Sequence, residues 1–404
     1  MKGGAKMNHS KKLRVSIFTV AMLVVGLVMM PGTAQAALKG SVALITDVGG
    51  RGDLSFNDMG YVGAEKAVAD FGLKLVEIQS ATAADYLPNV RNAARSGRFD
   101  LVIAVGFLLT DAVKTAAPEH PKQKFMIIDS VVDAPNVMSI VFNENEGSAL
   151  LGALAAMVAA HYGYPNVGAV LGIEIPVLYH FEAGYRFGID WGNKAYAKQM
   201  GKNPDIKLLY TYTGTFSDIA KGKEATYAML AQGAGLVYNI AGPLGIGDLQ
   251  AITEAVKAKG KEAGPPFMIG VDANQDWMGD GHRVLASMLK RVDNASYTAV
   301  EAVVKDTFKG GLVVMGLDVQ GVGMSREPEL NAFMEFGINV GKIGKWDKDQ
   351  IVANWKRMRG EIPSWIWDAV DDLEKQIVSG KISVPNANTL DEMKAVRAKY
   401  PLTK

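Results

Sequence analysis

Short apolar runs separated by helix-length amphipathic stretches set the rhythm of the chain. Ser41-Val42-Ala43-Leu44-Ile45 is rich in branched residues and predicts a buried strand. It is followed by Met59 to Phe71, where Tyr61, Ala64, Val68 and Phe71 recur at helical spacing. The alternation continues through strands at 73–78, 101–105, 125–129 and 137–142 and helices at 84–96 and 109–117. Ala149 to Ala160 is apolar nearly all round, as in a helix covered on every side. A second series then begins. Strands are predicted at 167–171, 206–212, 236–240 and 267–271, with helices at 177–199, 218–232 and 248–259 between them. Beyond Asp272 come a strand at 284–289, a helix at 295–308 and, in the tail, an amphipathic helix at 364–377 beside Trp355, Trp365 and Trp367. Strands alternating with helices predict parallel sheets covered on both faces. Two runs of similar size predict two α/β lobes.

Residues 1–36 differ in kind. Lys2, Lys6, Lys11, Lys12 and Arg14 precede an uncharged apolar stretch from Val15 to Met30, then Pro31-Gly32 and the small-x-small site Ala34-Gln35-Ala36. This is the pattern of a cleavable secretory signal peptide. The 43 basic residues nearly balance 42 acidic ones, but five of the bases and none of the acids lie in residues 1–36, so the remainder is acidic by four. That balance lacks the basic footprint of a nucleic-acid binder. With no cysteine there are no disulfides, no thiolate metal sites and no lipid-bearing N-terminal cysteine. The expected address is the periplasm, as a soluble and monomeric protein.

Candidate chemistry gathers where strands end, the side of an open α/β sheet that borders ligands. The first such loop, Thr46 to Asp58, holds Asp47, Gly49, Gly50, Gly52, Asp53, Phe56 and Asn57. It reads either as a helix cap at Ser55 or Asn57 behind a flexible turn, or as a ligand loop with amides, a carboxylate and a ring. Phe216, beside Gly214, either packs on its own lobe or faces a ligand. Asp129, Asp272 and Lys290 each follow an apolar strand; Asp272 and Lys290 are either a surface ion pair or hydrogen-bonding groups for a polyol. Gly242 to Gly247 reads G-x-x-G-x-G, not the dinucleotide order, and carries Pro243. Among His9, His120, His161, His180 and His282 no metal-ligand spacing occurs; they are expected to be solvated or at helix ends. No G-x-S-x-G elbow is present. No cofactor, metal or catalytic group is predicted.

Asp53-Leu54-Ser55-Phe56-Asn57, Glu146-Gly147-Ser148 before the apolar helix, Gly242, Gly270-Val271-Asp272 and Ser287 to Val292 occur in an order that resembles the basic membrane protein family of substrate-binding proteins, over about Ser41 to Pro385. Departures are Val48 after the aspartate, Asp53-Leu54 in place of Asp-Lys, and the missing lipidation cysteine. The resemblance implies a type I periplasmic binding fold, with two doubly wound α/β lobes joined by three crossovers, and an ABC transporter permease as partner. It places lobe 1 at 37–143 plus about 273–312 and lobe 2 at 144–272 plus about 313–404. It further implies that Phe56 and Phe216 sandwich a base, that Asp129 faces the base edge, and that Asp47, Gly242, Asp272 and Lys290 hold a ribose, with Asn57 beside them. The implied ligand is a purine nucleoside, guanosine or inosine before adenosine. A different flat ligand such as a flavin, or an exported nucleoside hydrolase, is the alternative.

Overall fold

The computed structural model describes residues 38–344 and 347–402; the expected signal peptide lies outside them. In chain order the elements are β1 (Ser41–Thr46), α1 (Phe56–Phe71), β2 (Lys74–Gln79), α2 (Tyr86–Arg95), β3 (Leu101–Val105), α3 (Thr110–Glu119), β4 (Lys124–Ile128), β5 (Val137–Phe142) and α4 (Glu144–His161). The second series runs β6 (Asn166–Leu171), α5 (Pro176–Met200), β7 (Lys207–Tyr212), α6 (Ile219–Ala231), β8 (Ala234–Ile240), α7 (Leu244–Ala258), β9 (Phe267–Asp272) and β10 (Val284–Lys290). There follow α8 (Val292–Val304), β11 (Gly311–Met315), β12 (Val322–Met324), α9 (Glu327–Asn339), α10 (Lys348–Gly360), α11 (Ser364–Val378) and α12 (Leu390–Lys399).

Two six-stranded sheets result, with matching winding: β2-β1-β3-β4-β5-β11 and β7-β6-β8-β9-β10-β12. The first is parallel throughout, whereas β12 runs antiparallel to β10. Alternate residues of β1, β3 and β4 enter opposite apolar layers. Val42 and Leu44 join one cluster, Ala43 and Ile45 the other. Both faces are thus covered by helices, which is why these strands read as unbroken apolar runs.

The chain changes sheet three times: between β5 and α4, between β10 and α8, and between β11 and β12. This corrects the expected partition in two places. Val284–Lys290, expected in lobe 1, pairs with β9 and β12 in the second sheet. The expected limit near 312 falls inside β11, which pairs with β5. An apolar strand of this kind suits either sheet, so its partner is set by lateral pairing and not by its own pattern. What returns to lobe 1 is α8 and β11, with α8 packed so closely on α1 that a Cβ at Gly63 would lie 2.0 Å from the Asp293 carbonyl.

α4 is buried all round, as its composition predicts, and lies against α5 with glycines at the contact. A Cβ at Gly184 would fall 2.0 Å from the Asn145 carbonyl, and one at Gly188 would fall 2.1 Å from that of Ala149. The tail is more structured than the single helix expected there. Trp355 donates to Asp276 at 3.0 Å, Arg359 lies over the rings of Trp355 and Trp367, and Arg397 of α12 pairs with Glu182 of α5 at 2.7 Å. These contacts fasten the tail to lobe 2.

Candidate functional site

The wall contributed by lobe 1 is built from the start of α1. Ser55 occupies the cap position, but its hydroxyl makes no capping bond. Asp53 caps instead, accepting from the backbone N–H of Asn57 at 2.8 Å and of Asp58 at 3.1 Å. The Ser55 hydroxyl is thereby available to the other lobe, where it donates to Asp272 Oδ2 at 2.7 Å. Gln275 of lobe 2 answers by donating to the Leu54 carbonyl at 3.0 Å. Phe56 is therefore the first residue of a helix and not a loop residue as expected. Asn57 donates to Asp47 Oδ1 at 3.0 Å, and the Gly49 N–H meets the same oxygen at 2.9 Å. Burial pushes the Asp47 carboxyl up, and the donors from Asn57, Gly49 and Gly50 hold it back.

The electrostatic centre is Lys290, at the end of β10 and 1% exposed. Its Nζ is 2.6 Å from Asp129 Oδ2 and 2.9 Å from Glu144 Oε1, and it lies within 5.0–5.6 Å of the ring centroids of Phe56, Phe142 and Phe181. Burial opposes the ammonium, but Asp129, Glu144 and Asp272 overcome it and raise its pKa, so it stays charged. Asp129 is pushed up to about 7 by burial; Lys290 lowers it, while Glu144 and Asp272 raise it further. Asp272 is also raised by burial, against Lys290 and Ser55. The surface ion pair considered for Asp272 and Lys290 is thus replaced by a buried cluster in which Lys290 directly pairs with Asp129 and Glu144.

Phe216 stands on the loop between β7 and α6, which Asp218 caps by accepting from the Lys221 N–H at 3.3 Å. The ring lies over Gly172, where a Cβ would be 2.1 Å from Phe216 Cε1. Gly242 follows β8 directly. One cleft with about 600 Å³ of empty space, part of it open to solvent, is lined by all eight candidate residues, Asp47, Phe56, Asn57, Asp129, Phe216, Gly242, Asp272 and Lys290. Apolar side chains, among them Leu108, Ile175 and Leu178, complete it. Mostly apolar walls with a few placed polar groups are the usual make-up of a small-molecule site. Two lining oxygens, Asp129 Oδ1 and Asn57 Oδ1, are buried and have no hydrogen-bond partner among the described residues. Both accept only, so the cavity calls for a ligand that donates.

Glu144 and His180 were not singled out from the sequence. Glu144, 1% exposed, opens α4 at the first crossover and pairs with His180 Nδ1 at 2.9 Å. His180 lies within α5 and is largely buried, not solvated or at a helix end. The only sequence signal for Glu144 was an acid just after an apolar strand; for His180 there was none.

The comparisons with known proteins agree with this architecture. Residues 40–342 match the Bmp family, described as ABC transporter substrate-binding protein, PnrA-like. An uncharacterized lipoprotein of Pyrococcus furiosus is 36% identical over 391 residues, covering 96% of each chain. The ABC transporter nucleoside-binding protein BmpA of Lactococcus lactis subsp. cremoris is 33% identical over 296 residues, or 70% of this chain and 80% of that one. A solved solute-binding protein of an ABC transporter system from Aeropyrum pernix superposes with a TM-score of 0.80 at 35% identity, over 89% of this chain and 99% of that one. The family match over most of the chain, together with these identities and the superposition, settles the assignment: the chain belongs to the Bmp family of ABC transporter substrate-binding proteins.

Proposed function

We propose that this substrate-binding protein carries a purine nucleoside, guanosine or inosine in preference to adenosine, to an ABC importer. The observation that carries this reading is the pair of rings, Phe56 from lobe 1 and Phe216 from lobe 2, lining one cavity with a buried carboxylate oxygen of Asp129 that no described group satisfies. The name of the Lactococcus lactis relative, a nucleoside-binding protein, supports it. Stacking suits any base, at about 1–3 kcal/mol per base. Choice among bases falls to Asp129. An ionised carboxylate only accepts, so it suits the N1–H and 2-amino donors of guanosine, or the N1–H of inosine, and meets a lone pair at N1 of adenosine. Asp47, Asp272 and Lys290 then hold the ribose, and closure of the lobes over the ligand presents the loaded form to the permease.

The deciding experiment is calorimetric titration of guanosine, inosine, adenosine, a pyrimidine nucleoside, free guanine and riboflavin against wild type and Asp129→Asn. The expected order is guanosine, inosine, adenosine, then the pyrimidine, with guanine far weaker than guanosine and a guanosine–adenosine gap of roughly 1–3 kcal/mol. That gap should narrow in Asp129→Asn, whose amide both donates and accepts. Riboflavin binding most tightly, or release of free base from bound guanosine, would replace the reading with a flavin carrier or a hydrolase. We further propose that the protein is exported by cleavage after Ala36 and works as a soluble monomer, since the 404 residues hold no cysteine to carry the lipid that the names of the Pyrococcus relatives specify. The mass of the mature protein recovered from cells tests the cleavage site.

A further inference from the structure

A line of alternating charge begins at the protein surface and ends in the cavity. Asn388, exposed on the segment before α12, places its Oδ1 3.0 Å from His180 Nε2. His180 Nδ1 is 2.9 Å from Glu144 Oε2, Glu144 Oε1 is 2.9 Å from Lys290 Nζ, and Lys290 Nζ is 2.6 Å from Asp129 Oδ2. Neither His180 nor Glu144 lines the cavity. Both ring nitrogens of His180 face oxygens that accept, and only the doubly protonated ring donates to both. The geometry therefore selects the imidazolium. In agreement, the His180 pKa is raised: burial acts against the charged ring, but the Glu144 carboxylate and the Asn388 oxygen outweigh it.

We propose that His180 is a positioning residue for base choice, one that acts through Glu144 and Lys290 to leave the Asp129 carboxylate free to accept from a ligand. Glu144 and Asp129 compete for one ammonium. While His180 is an imidazolium, Glu144 has a second cation and Lys290 is left to serve Asp129. When the ring is neutral, Glu144 holds Lys290 alone, and the buried Asp129 relieves its unbalanced charge by taking a proton. Protonated Asp129 presents a donor, which suits N1 of adenosine and not N1–H of guanosine. The groups facing His180 are Glu144 from α4, Lys290 from β10 and the uncharged Asn388; those facing Asp129 are Lys290, Glu144 and, from β9, Asp272.

For its ligand arm the inference rests on the nucleoside reading. Because Asp129 titrates at about 7, guanosine affinity should fall as pH drops below that point, by up to about tenfold per unit, and the guanosine-to-adenosine ratio should fall with it. Two neighbours then move the midpoint in opposite directions. His180→Gln removes a cation and should shift it up by about one pH unit; Glu144→Gln removes an anion and should shift it down by a similar amount. Asn388→Ala, at an exposed position where folding is not at stake, should give a smaller upward shift. Each variant is measured by calorimetry with guanosine and adenosine between pH 5.5 and 8.5. In parallel the side-chain carbon of Asp129 is titrated by NMR in ligand-free protein. Opposite displacements in the His180 and Glu144 variants establish the relay. A midpoint unmoved in His180→Gln and Asn388→Ala, or displaced the same way by His180→Gln and Glu144→Gln, overturns it. Should no nucleoside bind wild type at any pH, the nucleoside reading fails, while the carboxyl titration still decides the relay.

Discussion

Phe56 and Phe216 line the same cavity, yet they are held by different means. Phe56 opens a 16-residue helix whose first turn is capped by Asp53 and bonded across to lobe 2 through Ser55, and its ring has the Lys290 ammonium 5.0 Å from its centroid. Phe216 sits on a loop whose hydrogen bonds stay within lobe 2: Thr213 Oγ1 donates to the Leu171 carbonyl, and Thr215 Oγ1 accepts from the backbone N–H of Ser217 and Asp218. Its position comes from the absence of a side chain at Gly172. One face of the site is thus preorganised and the other adaptable. A rigid ring costs no ordering when ligand arrives, whereas a loop ring is partly immobilised by binding.

The largest contrast should appear on truncation. Phe56→Ala is expected to weaken guanosine binding by about 1–3 kcal/mol and to exceed the loss in Phe216→Ala, because only Phe56 also faces the Lys290 ammonium. Equal or reversed losses by calorimetry would show that preorganisation is not what separates the two rings. Next, Gly172→Ala should reproduce most of the Phe216→Ala loss, since the new methyl would occupy the place of the ring. Combined with Phe216→Ala it should add little, and additive losses in the double mutant would place Phe216 elsewhere. Smallest is Ser55→Ala, which deletes the bond from α1 to Asp272 while leaving Asp53 as the cap. About 1 kcal/mol is expected, read as a lower melting temperature of the guanosine complex with α1 intact by circular dichroism.

The same contrast explains what could be read in advance. Nineteen of the strands and helices announce themselves through apolar period, and the eight site candidates, chosen by strand ends together with the family resemblance, all line one cavity. What escaped depends on contacts distant in sequence. β12 is three residues long and exists because β10 offers it an edge. The sheet to which β10 itself belongs is a matter of neighbours, and the lobe boundary was misplaced for that reason. The cap is a further case: Ser55 is a favoured cap residue by type, yet Asp272, 217 positions away, takes its hydroxyl. Glu144 and His180 are ordinary in their local windows and become a pair only because α4 and α5 touch.

That touch also limits how lobe 2 can deform. Where Gly184 and Gly188 let α5 rest on the backbone of α4, no layer of side chains lies between the two helices to adjust by changing rotamers. Sliding of packed helices relies on such adjustment. The pair must therefore travel as one beam, carrying Glu144 and His180 at a fixed separation. The closure proposed above would then be absorbed in the few peptide units just before Glu144 and in the other two crossovers, as hinge motion and not as shear.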